Sequence, residues 1–365
     1  MPFLIDAHAD LAYSMLTFGR DYLHSAYEIR LSEVGTPHPR NNGDALLGWP
    51  EYQRGQVGLV VASLFIMPAK YSDGGFETQV YSSPAEAYRL TLIQRDLYQK
   101  ICQDHPDKFR LIENRQDLTA VVQAWRSAPA EFPERTHPIG LVLMMEGAEG
   151  VSGQRELEEW RRFGVRIIAP VWAGTRYCGG TKVPGRFTKE GFQLLESMAE
   201  LGYTLDIAHM SEESVFQALD VYPGVIIASH ANARALLRED PNGRHLTDRA
   251  LRRLFERDGV IGVMPYNRAL LPGWKDTDPR ESVTLSMLID HIDHICQIAG
   301  DASHVGIGSD FDGGFGWPAA PLEVDTIADL QKIGPLLAER GYREEDIAAI
   351  FHGNWLRKLE QGLPE

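Results

Sequence analysis

Phe3-Leu4-Ile5-Asp6-Ala7-His8-Ala9-Asp10 is a short apolar run that gives way to a cluster of groups able to bind a metal. Such a run reads as a buried strand, and a polar ligand at its carboxyl end is where barrel enzymes keep their chemistry. The same stretch decides against the main rival fold. An open doubly wound sheet usually carries a glycine-rich phosphate turn after its first strand, and Asp6 to Asp10 is no such turn. Four further runs end in the same way. Ile139 to Met145 leads into Glu146, Leu205-Asp206-Ile207 precedes His209, Val225-Ile226-Ile227 precedes His230, and Val305-Gly306-Ile307-Gly308 precedes Asp310.

Counting apolar runs with β-branched residues gives eight expected strands: Phe3–Ile5, Val57–Ile66, Ile139–Met145, Val165–Ala169, Thr204–Ile207, Val225–Ala228, Val260–Met264 and Val305–Gly308. Helical periodicity fills most of the gaps: Pro84 to Cys102, Gln154 to Phe163, Thr188 to Leu201, Ser211 to Leu219, Thr247 to Asp258, Ser282 to Ala299 and Thr326 to Arg340. Strands that alternate with helices and lack two-residue polar alternation pair in parallel. Eight such units predict an α/β protein of the closed (β/α)8, TIM-like barrel type, one catalytic domain over residues 1–365. Residues 17–50 and 68–83 form long connections after the first and second strands. Both should lie on the catalytic face and shape access to it.

The chain has 365 residues, 44% of them hydrophobic, with 36 basic and 51 acidic residues for a net charge of -15. That balance repels phosphate backbones and anionic membranes, so neither nucleic acid nor a membrane is an expected partner. Cys102, Cys178 and Cys296 are odd in number and far apart, which fits reduced thiols. No signal peptide or membrane span is visible, so a cytoplasmic location is expected.

His8 and Asp10 at i and i+2 share one side of an extended chain, and an imidazole with a carboxylate suits a borderline divalent cation such as Zn²⁺. Glu146, His209 and His230 follow strongly apolar runs, where a charged or metal-capable group is costly unless it is paired or bound to metal. Together the five strand ends point to a metal-dependent hydrolase.

Asp6-Ala7-His8-Ala9-Asp10-Leu11, Met145-Glu146-Gly147, Asp206-Ile207-Ala208-His209-Met210-Ser211, Ser229-His230-Ala231, Gly306-Ile307-Gly308-Ser309-Asp310-Phe311-Asp312-Gly313 and Gly353-Asn354-Trp355-Leu356-Arg357 resemble the membrane dipeptidase (renal dipeptidase) family, peptidase family M19. The match runs in order over nearly the whole chain. It implies a TIM-like barrel holding two zinc ions that hydrolyses dipeptides, with His8 and Asp10 on one metal, Glu146 bridging both, and His209 and His230 on the other. It also suggests a homodimer. Two metals about 3.5–4 Å apart can share a hydroxide and polarise the scissile carbonyl. Asp310 would then be the general acid/base, and Glu146 acts in catalysis through the metals it bridges. Arg244 resembles the family's arginine downstream of the second metal histidine and would fork onto the substrate's terminal carboxylate or the peptide oxygen.

One departure concerns the segment after the fourth strand. Family members often carry a histidine there that assists the developing oxyanion, whereas this chain reads Pro170-Val171-Trp172-Ala173-Gly174. Arg176, Tyr177 and His245 are the candidates to replace it. The alternatives to a dipeptidase are an amidohydrolase acting on N-acyl amino acids or lactams, and a non-catalytic metal-binding barrel. His291 and His294 fall inside a helical segment and are expected to be structural, as are His137, His304 and His352. Asp310-Phe311-Asp312-Gly313 lacks the acidic positions of a calcium loop.

Overall fold

The strand assignment rests on runs such as Val57–Phe65 and Ile139–Glu146, in which every residue is buried. A strand buried on both faces needs cover on both, and the chain supplies it by closing the sheet into a ring wrapped in helices. The computed structural model describes residues 3–72, 74–237 and 243–365. Its barrel strands are β1 (Leu4–Ala9), β2 (Val57–Phe65), β3 (Ile139–Glu146), β4 (Val165–Ala169), β5 (Thr204–Asp206), β6 (Ile226–Ala228), β7 (Val260–Val263) and β8 (Val305–Ile307). All pair in parallel, in chain order around the ring, and β8 closes onto β1 through Asp6 opposite Ile307. This is the expected (β/α)8 barrel.

β1 runs four residues beyond the Phe3–Ile5 read from sequence, so His8 stands inside the strand and Asp10 just past its end. The reason is the ladder on β2, where Asp6 faces Val60 and Ala9 faces Ala62. The stretch between Cys102 and Ile139, left unassigned above, holds a short strand, Phe109–Leu111, and a helix, Arg115–Ser127. The short strand pairs with the first half of β3 while β4 takes the second half.

The outer helices match the sequence reading closely: Pro84–Asp104, Gln154–Arg162, Lys189–Glu200, Glu212–Val221, Asp248–Glu256 and Leu285–Ala299. Ser83 caps the first of these by accepting from Glu86 N, and Thr188 caps the third by accepting from Gly191 N. Ser211 sits at a cap position without such a bond, because its hydroxyl donates to Gly185 O instead. The expected helix from Thr326 to Arg340 is a 3₁₀ segment, Ile327–Lys332, followed by an α-helix, Ile333–Glu339.

The long connection after β1 is less irregular than its composition suggests. It carries the helices Ala26–Glu33, His38–Asn42 and Trp49–Arg54. The connection after β2 forms a small parallel pair, Met67–Pro68 with Val80–Tyr81.

The Gly-Asn-Trp motif near residue 354 braces β8 from outside. Asn354 Nδ2 donates to the carbonyls of Ala302 and Val305, and Trp355 Nε1 donates to Ile307 O. Gly306 is required there, since a Cβ would fall 2.8 Å from the indole Cδ1 of Trp355. Cys102, Cys178 and Cys296 are all free thiols, and no helix among the described residues is long and apolar enough to cross a membrane.

Candidate metal centre

Five of the eight strands deliver polar side chains to the same end of the barrel, and six of those side chains meet. His8 and Asp10 come from β1, Glu146 is the last residue of β3, His209 and His230 follow β5 and β6, and Asp310 follows β8. His8 Nε2 lies 3.7 Å from Asp10 Oδ1, 3.7 Å from Glu146 Oε2 and 3.8 Å from Asp310 Oδ1. The other oxygen of Glu146, Oε1, faces His209 Nε2 at 3.1 Å and His230 Nε2 at 3.6 Å. Three overlapping sets of ligand atoms result: His8, Asp10 and Glu146; Glu146, His209 and His230; and His8, His230 and Asp310. Within each set the ligand atoms lie within 4.8 Å of one another.

The arrangement is poorly satisfied without a cation. His8 is fully buried, and neither ring nitrogen has a hydrogen-bond partner among the described residues. His209 Nε2 and His230 Nε2 face each other at 3.0 Å. Burial opposes a charge on His8, yet Glu146, Asp10 and Asp310 outweigh it and push its pKa up to about 10. Burial drives Glu146 well above the usual carboxylate range and raises Asp310 to about 7, while it holds His209 and His230 well below the usual imidazole range. His8 differs from the other two histidines because three carboxylates surround it, whereas they face each other and Arg244. Three buried carboxylates converging on three buried imidazoles make the donor set of a divalent cation.

Hydrogen bonds from neighbouring residues aim these candidate ligands. Asp206, at the end of β5, accepts from the backbone N–H groups of Ala208 and Ser229 and from Ser229 Oγ at 2.5 Å. With its proton committed to Asp206, the Ser229 hydroxyl accepts from His230 Nδ1 at 2.8 Å, which leaves the Nε2 lone pair pointing inward. Thr181 Oγ1 does the same for His209, donating to the His209 carbonyl and contacting Nδ1 at 3.0 Å. Asp6 repeats the Asp206 device on the other side of the ring. It accepts from Ser309 N and Ser309 Oγ, at 2.7 and 2.5 Å, and burial raises its pKa to about 6. Ser63 Oγ donates to Asp10 Oδ1.

Ser229→Ala is therefore expected to weaken metal binding by roughly 10–100-fold, measured by competition against a chelating dye. An unchanged affinity would show that the serine clip does not orient His230.

Backbone strain concentrates here. His209, Asp310 and Asp312 adopt φ values of 64°, 57° and 61°, in the left-handed region that non-glycine residues seldom enter. Gly313 lies against the centre, because a Cβ would stand 2.6 Å from Asp10 Oδ2 and closer still to Asp310 Oδ1.

A cavity of about 700 Å³ opens above the ligands, and both long connections contribute to its wall, through Asn42 and Glu77 among others. Arg244 lines it and donates from Nη2 to His230 O at 2.8 Å. Trp172 also lines it, partly buried, with its ring 6.1 Å from that of His209. Of the three candidates to replace the missing histidine, two turn away. Arg176 bonds Glu149, the Tyr177 hydroxyl and Val151 O, and Tyr177 also donates to Val151 O, beside a separate hollow between outer helices. His245 remains in the cavity wall, its Nδ1 accepting from Asn232 N at 3.1 Å.

The five histidines expected to be structural are held by contacts away from the centre. His291 is buried and its Nδ1 accepts from Ala233 N, and His294 Nε2 pairs with Asp248 at 2.9 Å. His137, His304 and His352 each contact a backbone carbonyl.

The sequence profile of the membrane dipeptidase family, peptidase family M19, matches residues 2–362. The chain belongs to this family. An uncharacterized dipeptidase of Schizosaccharomyces pombe is 26% identical over 360 residues, covering 97% of this chain and 79% of its own. The dipeptidase ataJ of Aspergillus terreus is 30% identical over 300 residues, 76% of this chain and 68% of its own. Among solved structures, a metallopeptidase from Rhodobacter sphaeroides bound to a phosphinate mimic of L-Ala-D-Ala superposes with a TM-score of 0.76. That match covers 99% of both chains at 20% identity and bears on the fold. Membership in M19 makes this chain a metal-dependent dipeptidase, and the cluster around Glu146 is where its residues can hold a divalent metal.

Proposed function

We propose that the chain is a binuclear dipeptidase, with His8 and Asp10 holding one ion, His209 and His230 the other, and Glu146 spanning both. The observation that carries this reading is the split of Glu146, whose two oxygens face two different ligand sets. Imidazole and carboxylate donors together favour zinc. When bound, two such ions lower the pKa of a shared water towards neutrality and polarise the scissile carbonyl.

The remaining work falls to the chain. Asp310 Oδ1 takes a proton from the attacking water and delivers it to the leaving amine as the peptide C–N bond breaks. Arg244, whose charge is felt at both Glu146 and Asp310, forks onto the substrate's terminal carboxylate and sets the register of the scissile bond. Trp172 narrows the mouth of the cavity and limits water beside the reacting groups.

Metal-loaded protein is expected to contain two ions per chain and to hydrolyse L,L or L,D dipeptides, with N-acyl amino acids as controls. Turnover of the N-acyl compounds alone would support the second reading, an amidohydrolase, which Trp172 in place of a histidine favours. Metal without any turnover would overturn both.

A further inference from the structure

The cavity has two chemically distinct sides. β2 and β6 stand four strands apart in a ring of eight, so the loops that follow them face each other across the centre. Arg244 lies on the β6 side, attached through His230 O, and Lys182, whose charge is felt at His209, lies on the neighbouring β5 side. The β2 side carries Glu77. Its Oε1 accepts from the Tyr13 hydroxyl at 3.2 Å, and its Oε2 is buried in the cavity wall with no hydrogen-bond partner among the described residues.

A row of aromatic rings starts beside His209 at Trp172 and includes Tyr13, the partner of Glu77. Trp172 meets Phe65 at 5.4 Å between centroids, Phe65 meets Tyr13 at 5.4 Å, Tyr13 meets Phe18 at 6.4 Å, and Phe18 stacks on Phe76 at 5.9 Å. All five line the same cavity.

A carboxylate oxygen withdrawn from water without a partner is costly, and an incoming cation removes that cost. Aromatic faces suit the alkyl stem of a long basic side chain and add cation–π attraction to its head. We propose that Tyr13, Phe18, Phe65, Phe76, Trp172 and Glu77 form a subsite for a lysine or arginine side chain on the amino-terminal residue of the substrate. The assignment rests on the dipeptidase reading above. With the carboxylate end held by Arg244 on the β6 side, the amino-terminal residue extends towards β2. Its α-ammonium, one carbon from the scissile carbonyl, stays near Asp10 and Glu146, and only a side chain reaches past the rings to Glu77.

The test compares lysyl-alanine with norleucyl-alanine, which has the same stem and no charge. The metal-loaded enzyme is expected to prefer the lysyl substrate by about tenfold or more in kcat/KM. Glu77→Gln should erase the preference, lowering kcat/KM for lysyl-alanine by about tenfold more than for norleucyl-alanine, and Glu77→Lys should shift it towards glutamyl-alanine. Titration calorimetry on metal-stripped protein, where nothing is hydrolysed, should show the same order of binding. No preference in the unaltered enzyme, or an equal loss on both substrates in Glu77→Gln, would overturn the subsite and leave the dipeptidase reading standing. No turnover of either dipeptide would overturn the dipeptidase reading and the subsite with it.

Discussion

Replacing Asp310 with asparagine is expected to lower kcat on a dipeptide by roughly 10²–10⁴-fold while the metal content per chain stays unchanged. The substitution keeps the size of the side chain and removes the ability to carry a proton. Asp310 is placed for that task by its backbone. It enters the left-handed region at φ 57°, donates its N–H to His8 O, and receives Gly313 N at its own carbonyl, which turns the carboxylate towards His8. Steady-state kinetics and elemental analysis on the same preparation decide the matter. If metal is lost together with activity, Asp310 is a ligand, as the set it forms with His8 and His230 would also permit.

The largest expected effect on stability comes from Asp312, two residues further on. Asp312→Ala should destabilise the fold by about 3–5 kcal/mol, read from urea denaturation, because it leaves the charge of Arg20 buried with one of its two carboxylates. Both side chains are fully buried and lie 3.2 Å apart. Asp312 also accepts from Leu46 N at 2.9 Å and from the Tyr22 hydroxyl at 2.8 Å, while its own carbonyl accepts from Ser14 and Asn42. Arg20 in turn pairs with Glu33 and donates to Gly43 O. Burial raises the Asp312 pKa against the pull of Arg20, so the ion pair as a whole adds little net stability. What it provides is placement: one carboxylate ties the long connection after β1 to the turn that carries Asp310. Asp312→Asn keeps most of the hydrogen bonds and should cost less, and a loss of the same size as in alanine would show that the charge itself dominates.

The barrel was legible because its strands are unbroken apolar runs and because their polar residues sit at one end. The long run of β3 and the shorter one of β6 both announce themselves in this way. Phe109–Leu111 did not, since it has three residues, one of them an exposed arginine, and is a strand only because β3 has a free edge there. The helix Arg115–Ser127 does show its apolar face in Leu118, Val121, Val122 and Trp125, at helical spacing, and could have been read from the sequence.

The candidate ligands were legible for the same reason as the strands, since each follows an apolar run. The pairing of their supports was not. Asp6 clips Ser309 across the whole chain, Asp206 clips Ser229, and Thr181 reaches His209 from a separate loop. Pairings of this kind depend on which strand ends lie side by side, and no local pattern records them. Arg176 and Tyr177 failed as oxyanion candidates for the converse reason. They stand close to Trp172 in sequence, but their loop carries them to the outside of the barrel.

The clip between Asp6 and Ser309 has a consequence for how the molecule is made. It joins the first strand of the ring to the last, beside a centre whose ligands are spread from residue 8 to residue 230 and whose proposed proton carrier is residue 310. A ribosome needs roughly 15–60 s to add the roughly 300 residues between those ends. Until β8 emerges, β1 has a bare edge, Asp6 has no serine to hold it, and His8 lacks the strand that shields it. Assembly of the centre therefore waits for β8, and a growing chain that meets a divalent metal earlier offers it a site not yet closed.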